Sequence, residues 1–214
     1  MAFVFEPSRD DNGIITQIKG IGVVKINVKG VNTHATVGWK DGRNASVELV
    51  KQLSRLLGYT DYENIRYEIG ELSSDNAISS YASARIVAAI QNEKGSQIFK
   101  EHMRQITQEA PFIDGCECSI NIIAEHPAMD RNPENLEMLK IVQEAGKIMN
   151  MDYPEQLSVG TGDACLISYY GCPSIDAMGP YMKDIHRLDE RMYIPSLKER
   201  TMLFALTLAK LDKK

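Results

Sequence analysis

The order of six segments between residues 21 and 124 constrains the fold of this chain more than any other feature of its sequence. In the run 21–31, Val24, Ile26 and Val28 alternate with polar residues, which predicts a half-buried strand. A helical run follows, then two alternating runs, a second helical run and a last alternating run. Strand, helix, strand, strand, helix, strand is the order of a two-layer ferredoxin-like domain.

Capping residues predict where the two helices of this domain begin and end. Asn44 is a suitable N-cap for the first helix, and Gly58 suits a left-handed stop at its end. Ser96 is the expected N-cap of the second helix, which must end before Pro111. His102 lies within that second helix and is expected on its surface.

The segments outside this domain have the character of an α/β fold. Asn132 and Pro133 open a strong helix, and Ser196 with Glu199 predicts a capping box for the last one. The run CPSIDAM at 172–178 predicts a wholly apolar strand, as in parallel sheets, and AFVF near the start is its only candidate neighbour. The predicted organisation is an α/β protein in which a ferredoxin-like βαββαβ domain interrupts a partial α/β domain. The predicted boundaries are 1–20, 21–125 and 126–214.

Composition argues against several classes of protein. The formal net charge is −5 and the basic residues form no stripe, which argues against nucleic-acid binding. No apolar run approaches the roughly 18 residues that a membrane span requires. The four cysteines lack CxxC pairing and are expected to be buried, reduced thiols. No secretory signal precedes AFVF, which by itself suggests the cytoplasm.

The stretch PYMKDIHRLDE at 180–190 places one histidine among carboxylates. His186 is flanked by Asp184, Asp189 and Glu190, and an acidic neighbour can orient an imidazole that binds a metal ion. A surface histidine with incidental acidic neighbours is the alternative. Zinc needs three or four ligands, and the remaining histidines offer no HxxxH or HxH pairing.

Six motifs occur in one order along the chain. They are VFEP at 4–7, INVKGVNTHAT at 26–36, GRNASVELV at 42–50, GTGDA at 160–164, GCPSIDAMGP at 171–180 and HRLDERMYIPSLKER at 186–200. In this combination the chain resembles the cocatalytic zinc hydrolases that include glutamate carboxypeptidase, aminoacylase, acetylornithine deacetylase and succinyl-diaminopimelate desuccinylase. The resemblance covers essentially the whole chain, but only the C-terminal part of a family member.

This resemblance implies an architecture and a set of site residues. The ferredoxin-like domain resembles a lid that interrupts the catalytic domain and forms a homodimer. Glu6 resembles the carboxylate ligand of one zinc ion, and His186 resembles the histidine ligand of the other. His34 resembles the lid histidine that stabilises the oxyanion in the partner subunit's site. The implied substrate-binding residues are Asn76, Gly160 and Asp163.

The implied chemistry is cleavage of an amide bond in a small peptide or an N-acyl amino acid. Two zinc ions that share a carboxylate lower the pKa of a bound water, and a nearby glutamate moves protons. A histidine above the scissile carbonyl stabilises the tetrahedral oxyanion. Without the resemblance, His34 is a polar residue at a strand end, Glu6 a solvated carboxylate and Asp163 a helix N-cap.

The sequence departs from the family in ways that bear on activity. The other metal ligands and the general-base glutamate belong to an upstream portion that this chain does not include, so we expect weak zinc binding and no turnover by the isolated chain. PYMKDI replaces a glycine-rich turn, Gln91 replaces a lid arginine, and Gly162 replaces a hydroxyl residue. The substrate is therefore left open.

Two other readings stay open from the residues. A non-catalytic dimerisation or binding module would use an exposed edge strand and an apolar helix face. An RNA-recognition role would need stacking aromatic residues on the first strand, which has none. The helices at 132–150 and 196–211 would normally pack on strands absent from the chain. We therefore expect partial disorder outside 21–124, strong oligomerisation or rearranged packing.

Overall fold

The computed structural model describes residues 1–9 and 11–212, and the chain forms two compact units. The inserted unit is Gly20–Pro127, and the flanking unit combines Met1–Lys19 with Ala128–Lys214. The strands are β1 (Ala2–Phe3), β2 (Ile14–Ile18), β3 (Gly20–Lys29), β4 (Ile65–Ser74), β5 (Tyr81–Ile90), β6 (Glu117–His126), β7 (Glu155–Ser158), β8 (Ser174–Ile175), β9 (Met182–Lys183) and β10 (Arg191–Met192). The helices are α1 (Ala45–Gly58), α2 (Glu93–Gln108), α3 (Pro133–Ile148), α4 (Asp163–Tyr169) and α5 (Ile194–Leu211).

The inserted unit is a four-stranded antiparallel sheet with the strand order β4-β5-β3-β6. Its element order is the predicted βαββαβ order, so the ferredoxin-like fold is confirmed. Val24, Ile26 and Val28 on β3 are fully buried, as their alternation predicted. Gly22 lies on the same strand, where a methyl group would come within 2.5 Å of the Phe99 ring of α2. The helix therefore packs closely against the sheet at this glycine.

The ends of the helices in the inserted unit follow the predicted caps only in part. Asn44 caps α1 as predicted, since its side chain accepts hydrogen bonds from the N–H groups of Ser46 (3.0 Å) and Val47 (3.4 Å). The prediction for Gly58 is wrong, because Tyr59 ends α1 with φ −87° and no left-handed residue is used. The prediction that Ser96 caps the second helix is also wrong, because Asn92 is the N-cap.

The second helix begins one turn earlier than predicted and its histidine is not a simple surface residue. Asn92 caps α2 and accepts a hydrogen bond from the N–H of Gly95 at 2.8 Å. His102 is half-buried rather than on the surface, which corrects the expectation for it. Its Nδ1 lies 2.7 Å from the Tyr67 hydroxyl, and its ring stacks on Tyr59 with 4.5 Å between centroids.

The four cysteines are free thiols, as predicted. Cys116 and Cys165 are buried, and Cys118 and Cys172 are partly buried. Burial and the neighbouring carboxylate of Glu48 raise the pKa of Cys118 to about 12. A thiol with such a pKa stays protonated at neutral pH and is a poor nucleophile.

The flanking unit is built from short parallel strand pairs. β1 pairs with β8, as predicted for AFVF, and β2 pairs with β7. The prediction that AFVF was the only further strand is wrong, since β2 and β7 are also present. An isolated bridge between Ile15 and Asp176 links the two pairs. A separate antiparallel hairpin joins β9 and β10.

Helices α3 and α5 complete the core of the flanking unit. Their buried side chains join strand residues in one cluster: Ile14, Met138, Leu139, Val142, Ala145, Tyr153, Ile175, Met178 and Leu203. Asn132 caps α3 as predicted and accepts a hydrogen bond from the N–H of Asn135 at 2.7 Å. The described helices thus pack on a core that this chain supplies, and the expectation of partial disorder, oligomerisation or rearranged packing stays a prediction.

The predicted capping box at Ser196 is wrong, because α5 begins at Ile194 after Tyr193. The Ser196 hydroxyl donates a hydrogen bond to the carbonyl of Tyr193 (2.6 Å) and accepts one from the N–H of Tyr181 (2.8 Å). Ser196 therefore fastens the start of α5 to the segment before β9. Among the residues described, no helix is both long and apolar enough to cross a membrane.

Candidate active site

Glu6 lies just beyond β1, beside the glycine that precedes α4. A methyl group at Gly162 would lie 3.7 Å from Cγ of Glu6 and 2.7 Å from Oδ2 of Asp176. The backbone carbonyl of Glu6 accepts a hydrogen bond from the N–H of Gly179 at 3.0 Å. Gly162 stands where a hydroxyl residue was expected, and a side chain there would collide with the Asp176 carboxylate. The glycine therefore allows these two acidic residues to approach the start of α4.

Asp176 is the acidic residue that the sequence analysis missed. It is only 2% exposed, at the end of the β8 segment. Burial raises the pKa of Asp176 to about 6, and the nearby charges of Glu6 and Asp163 act in the same direction. Hydrogen bonds from the backbone N–H groups of Ala177 and Glu6 oppose this shift. Asp176 appeared within a run predicted to be wholly apolar, and a lone carboxylate in such a run was the available signal.

A turn held from two sides follows Asp176. Ala177 has φ 63°, in the left-handed region that an alanine rarely adopts. Its N–H donates to Asp176 Oδ1 at 2.7 Å, and its carbonyl accepts a hydrogen bond from Arg200 at 3.2 Å. Arg200 is 3% exposed, and its guanidinium lies 4.9 Å from the ring centre of Tyr153. The buried arginine on α5 thus stabilises the turn that carries the Asp176 carboxylate.

Gly160 and Asp163 lie in the glycine turn that leads into α4. The Ser158 hydroxyl closes this turn, since it accepts from the N–H of Gly160 (3.1 Å) and donates to the Gly160 carbonyl (3.3 Å). Asp163 is the first residue of α4, and the N-cap is Gly162, which has no side chain to accept a hydrogen bond. The interpretation of Asp163 as a helix N-cap is therefore wrong. Its exposed carboxylate instead belongs to the acidic group around Gly162.

His186 lies at the tip of the β9–β10 hairpin, with φ 66°. Its backbone N–H donates to Glu190 Oε2 at 3.0 Å. The carboxylate of Asp184 pairs with Arg187 (3.4 Å) and with Arg191 (2.6 Å). The acidic residues around His186 therefore bind its backbone and two arginines, and the described contacts do not include its ring. No group of three or more His, Cys, Asp or Glu side chains within residues 1–9 and 11–212 is placed to hold a metal ion.

His34 and Asn76 belong to the inserted unit, on two loops that meet. A methyl group at Gly42 would lie 2.5 Å from Thr33 Oγ1 and 2.8 Å from Ile78 Cγ2, so the loop of His34 touches the loop of Asn76. His34 is exposed, and its Nδ1 faces the Thr36 hydroxyl at 3.0 Å. Asn76 is also exposed, and its backbone N–H donates to Asp75 Oδ1 at 2.9 Å. The structure thus brings these two predicted site residues to one end of the inserted unit.

Comparison with known proteins finds similar folds among solved structures. No protein-family model and no curated protein matches the sequence. Aminopeptidase PepT from Bacillus cereus ATCC 10987 matches with a TM-score of 0.67 and 15% identity, over 96% of this chain and 55% of that chain. A tripeptidase from Staphylococcus aureus subsp. aureus Mu50 matches with a TM-score of 0.66 and 20% identity, over 99% and 57%. The Bacillus subtilis YXEP protein, described as a dinuclear metal binding peptidase from the M20 family, matches with a TM-score of 0.61 and 16% identity, over 98% and 56%.

Nearly the whole chain shares the fold of these structures, which include an aminopeptidase, a tripeptidase and a protein described as a peptidase from the M20 family. The resemblance predicted from the six motifs is thus confirmed at the level of the fold. The chain spans little more than half the length of the structures that it matches.

Proposed function

We propose that this chain forms the C-terminal portion of a metal-dependent hydrolase that cleaves amide bonds in small peptides or N-acyl amino acids. The observation that carries the proposal is the shared fold over at least 96% of the chain with proteins named as an aminopeptidase, a tripeptidase and a dinuclear metal binding peptidase. The acidic group around Gly162 supports it, because carboxylate oxygens are common ligands of divalent cations.

The proposed metal is zinc, with Glu6 and His186 as the ligands from this chain. Carboxylate and imidazole groups are both zinc ligands, but a zinc site needs three or four of them. The described residues do not by themselves fit a complete metal centre. The proposal therefore requires the remaining ligands and the general base to come from a complementary portion, and the isolated chain is expected to bind zinc weakly.

The remaining proposed roles concern the substrate. His34 would donate a hydrogen bond to the oxygen of the scissile carbonyl, where negative charge develops. Its exposed position on a loop of the inserted unit suits a residue that reaches a partner subunit's site. Asn76, Gly160 and Asp163 would contact the substrate, since all three are exposed and two of them border the acidic group.

A homodimer through the inserted unit belongs to the same proposal. β6 is an outer strand of the sheet, and a groove between β6 and α2 is lined by Phe99, Met103, Ile120 and Ile122. Ile122 is 55% exposed at this groove. An outer strand beside an apolar groove favours pairing with a second copy, since both the unpaired backbone groups and the apolar surface would then be covered.

The hydrolase proposal is tested by reconstitution. The chain is purified alone and together with the polypeptide encoded immediately upstream of it, and both samples receive zinc and a panel of tripeptides and N-acetyl amino acids. We expect hydrolysis only by the combined sample, abolished by EDTA. Glu6→Gln and His186→Gln should abolish it, His34→Gln should lower kcat about 100-fold, and the surface variant Glu137→Gln should leave it unchanged. Chelator-sensitive turnover by the isolated chain, or full activity of Glu6→Gln, would contradict the proposal.

The same β6 groove also favours the non-catalytic alternative, in which the chain is a dimerisation module. A second measurement distinguishes this alternative from the hydrolase. Sedimentation velocity over a concentration series should show a dimer that Ile122→Lys weakens at least about tenfold, by placing a charge in an apolar interface. Ser119→Lys, on the other face of β6, is the matched control. A strict monomer at high concentration removes the dimer, and a dimer without turnover in any reconstituted sample favours the alternative.

A further inference from the structure

The loop that carries His34 folds back on the imidazole ring. The carbonyl of His34 accepts a hydrogen bond from the N–H of Gly38 at 3.1 Å, which closes a turn around residues 35–37. Within this turn three groups face one ring nitrogen. His34 Nδ1 lies 3.3 Å from the backbone N of Thr36, 3.4 Å from the backbone N of Val37 and 3.0 Å from the Thr36 hydroxyl oxygen.

Two of these three groups determine the tautomer of the ring. A backbone N–H can only donate a hydrogen bond, so Nδ1 must present its lone pair to Thr36 and Val37. The Thr36 hydroxyl can rotate, and beside an accepting nitrogen it donates as well. A neutral imidazole carries one proton, which must then lie on Nε2. The local backbone therefore assigns His34 as a donor at its outer nitrogen.

We propose that the backbone N–H groups of Thr36 and Val37 hold His34 as its Nε2–H tautomer, so that the ring presents a hydrogen-bond donor to a carbonyl or carboxylate oxygen. The use of that donor in catalysis rests on the proposed function, but the tautomer itself does not. The assignment separates His34 from two other roles. A metal ligand or a general base at Nε2 needs a free lone pair there, which this tautomer does not offer.

The other histidines of the chain provide contrasts. His102 Nδ1 faces only the Tyr67 hydroxyl, which can donate or accept, so its surroundings do not choose a tautomer in the same way. His186 has a described bond to its backbone N–H and none to its ring. His186 is therefore a suitable internal reference for an imidazole without a backbone constraint.

The test is NMR spectroscopy of the chain labelled with ¹⁵N-histidine. Two-bond ¹H–¹⁵N correlations at about pH 8.5, where imidazoles are neutral, report which ring nitrogen carries the proton, and His34→Gln and His186→Gln assign the signals. We expect the ratio of Nε2–H to Nδ1–H to be larger for His34 than for His186. Val37→Pro, which removes one of the two backbone N–H donors, should lower that ratio for His34 about fivefold, which corresponds to one hydrogen bond of about 1 kcal/mol. Thr36→Val, which removes only a hydroxyl that can donate or accept, is the matched control and should leave the ratio unchanged.

Two outcomes would overturn the proposal. One is a His34 ratio equal to that of His186 or dominated by Nδ1–H, a result that needs no variant. The other is a Val37→Pro spectrum in which the remaining backbone signals are kept but the His34 ratio does not change. In the reconstituted hydrolase, Val37→Pro should lower kcat more than it changes KM. A changed ratio with unchanged kcat would support the tautomer assignment and refute the proposed catalytic use of His34.

Discussion

The inserted unit and the flanking unit differ in the length and the pairing of their strands. The inserted unit has four strands of ten residues each, joined in one antiparallel ladder. In the flanking unit, β1 and β8 have two residues each, β2 has five and β7 has four. Yet Glu6, Asp163, Asp176 and His186 all belong to the flanking unit. The unit with the shorter strands therefore carries both proposed metal ligands and the acidic residues around Gly162.

The flanking unit also exposes apolar side chains beside its short strands. Leu157, Val159 and Tyr170 are 58%, 85% and 82% exposed, around the end of β7 and the end of α4. Exposed apolar groups near short strands are expected where a sheet is completed by another segment. The inserted unit thus closes its sheet with long strands, whereas the flanking unit leaves apolar side chains exposed beside short ones.

The largest expected effect tests whether the two units unfold separately. Phe99→Ala should destabilise the inserted unit by about 4 kcal/mol, and Leu203→Ala should destabilise the flanking unit by about 3 kcal/mol, because each leaves a cavity in a buried core. Differential scanning calorimetry with hydrogen exchange should assign each loss to one unit. A single transition that both variants shift equally would contradict the comparison.

The next effect is the pH dependence of the flanking unit, measured in metal-free buffer. Asp176 has a folded pKa of about 6, above its ordinary value of 3.8. Between these values the folded state binds more protons than the unfolded state, so stability falls as pH rises through this window. Asp176→Asn should remove a slope worth about 2 to 3 kcal/mol, measured by urea unfolding. Asp152→Asn, at an exposed site, is the control, and an unchanged slope in Asp176→Asn would refute the assignment.

A smaller effect compares the helix caps of the two units. Asn44→Ala should cost about 2 kcal/mol and Asn132→Ala about 1 kcal/mol. The difference arises because the Asn44 amide also donates to the carbonyl of Ala77 at 2.9 Å and so joins α1 to the loop of Asn76. Thermal unfolding measures both changes. Equal losses of stability in the two variants would show that the hydrogen bond from Asn44 to the carbonyl of Ala77 does not stabilise the fold.

The smallest expected effect is a pH dependence of opposite sign in the inserted unit. Burial lowers the folded pKa of His102 below its ordinary value of 6.5, although the charge of Glu101 opposes this. The unfolded state then binds more protons just below pH 6.5, so stability is lost as pH falls through this region. Urea midpoints should show this slope for the inserted unit in the wild type and not in His102→Gln. A slope that persists in the variant would assign it to another group.

Much of the inserted unit was predictable because its signals are local. Strands of ten residues repeat the alternation often enough to be recognised, and Asn44 lies directly before the helical spacing of α1. The N-cap of α2 was misplaced because Asn92 and Ser96 are both suitable residues one turn apart. The structure uses Asn92, and Gly95 in the first turn of α2 packs so closely on the carbonyl of Asn64 that a side chain there would collide with it.

The candidate site was less predictable because it depends on contacts distant in sequence. Glu6 and Asp163 were identified through motifs, but their proximity to Asp176 depends on the pairing of β1 with β8. Asp176 resembled an ordinary strand residue until its burial was known. β2 and β7 are too short to produce a clear alternation, so the sequence did not indicate them.

The irregularity in β6 limits how far this sheet can be extended. The register of β6 against β3 shifts between Val23 and Val24, so that Ile123 is an extra residue in the strand. An added strand would therefore find an uninterrupted ladder only along residues 117–122. Long, straight edges are what permit chains to stack into fibrils, and a kinked edge discourages this. The bulge thus interrupts the β6 edge and discourages open-ended stacking of strands there.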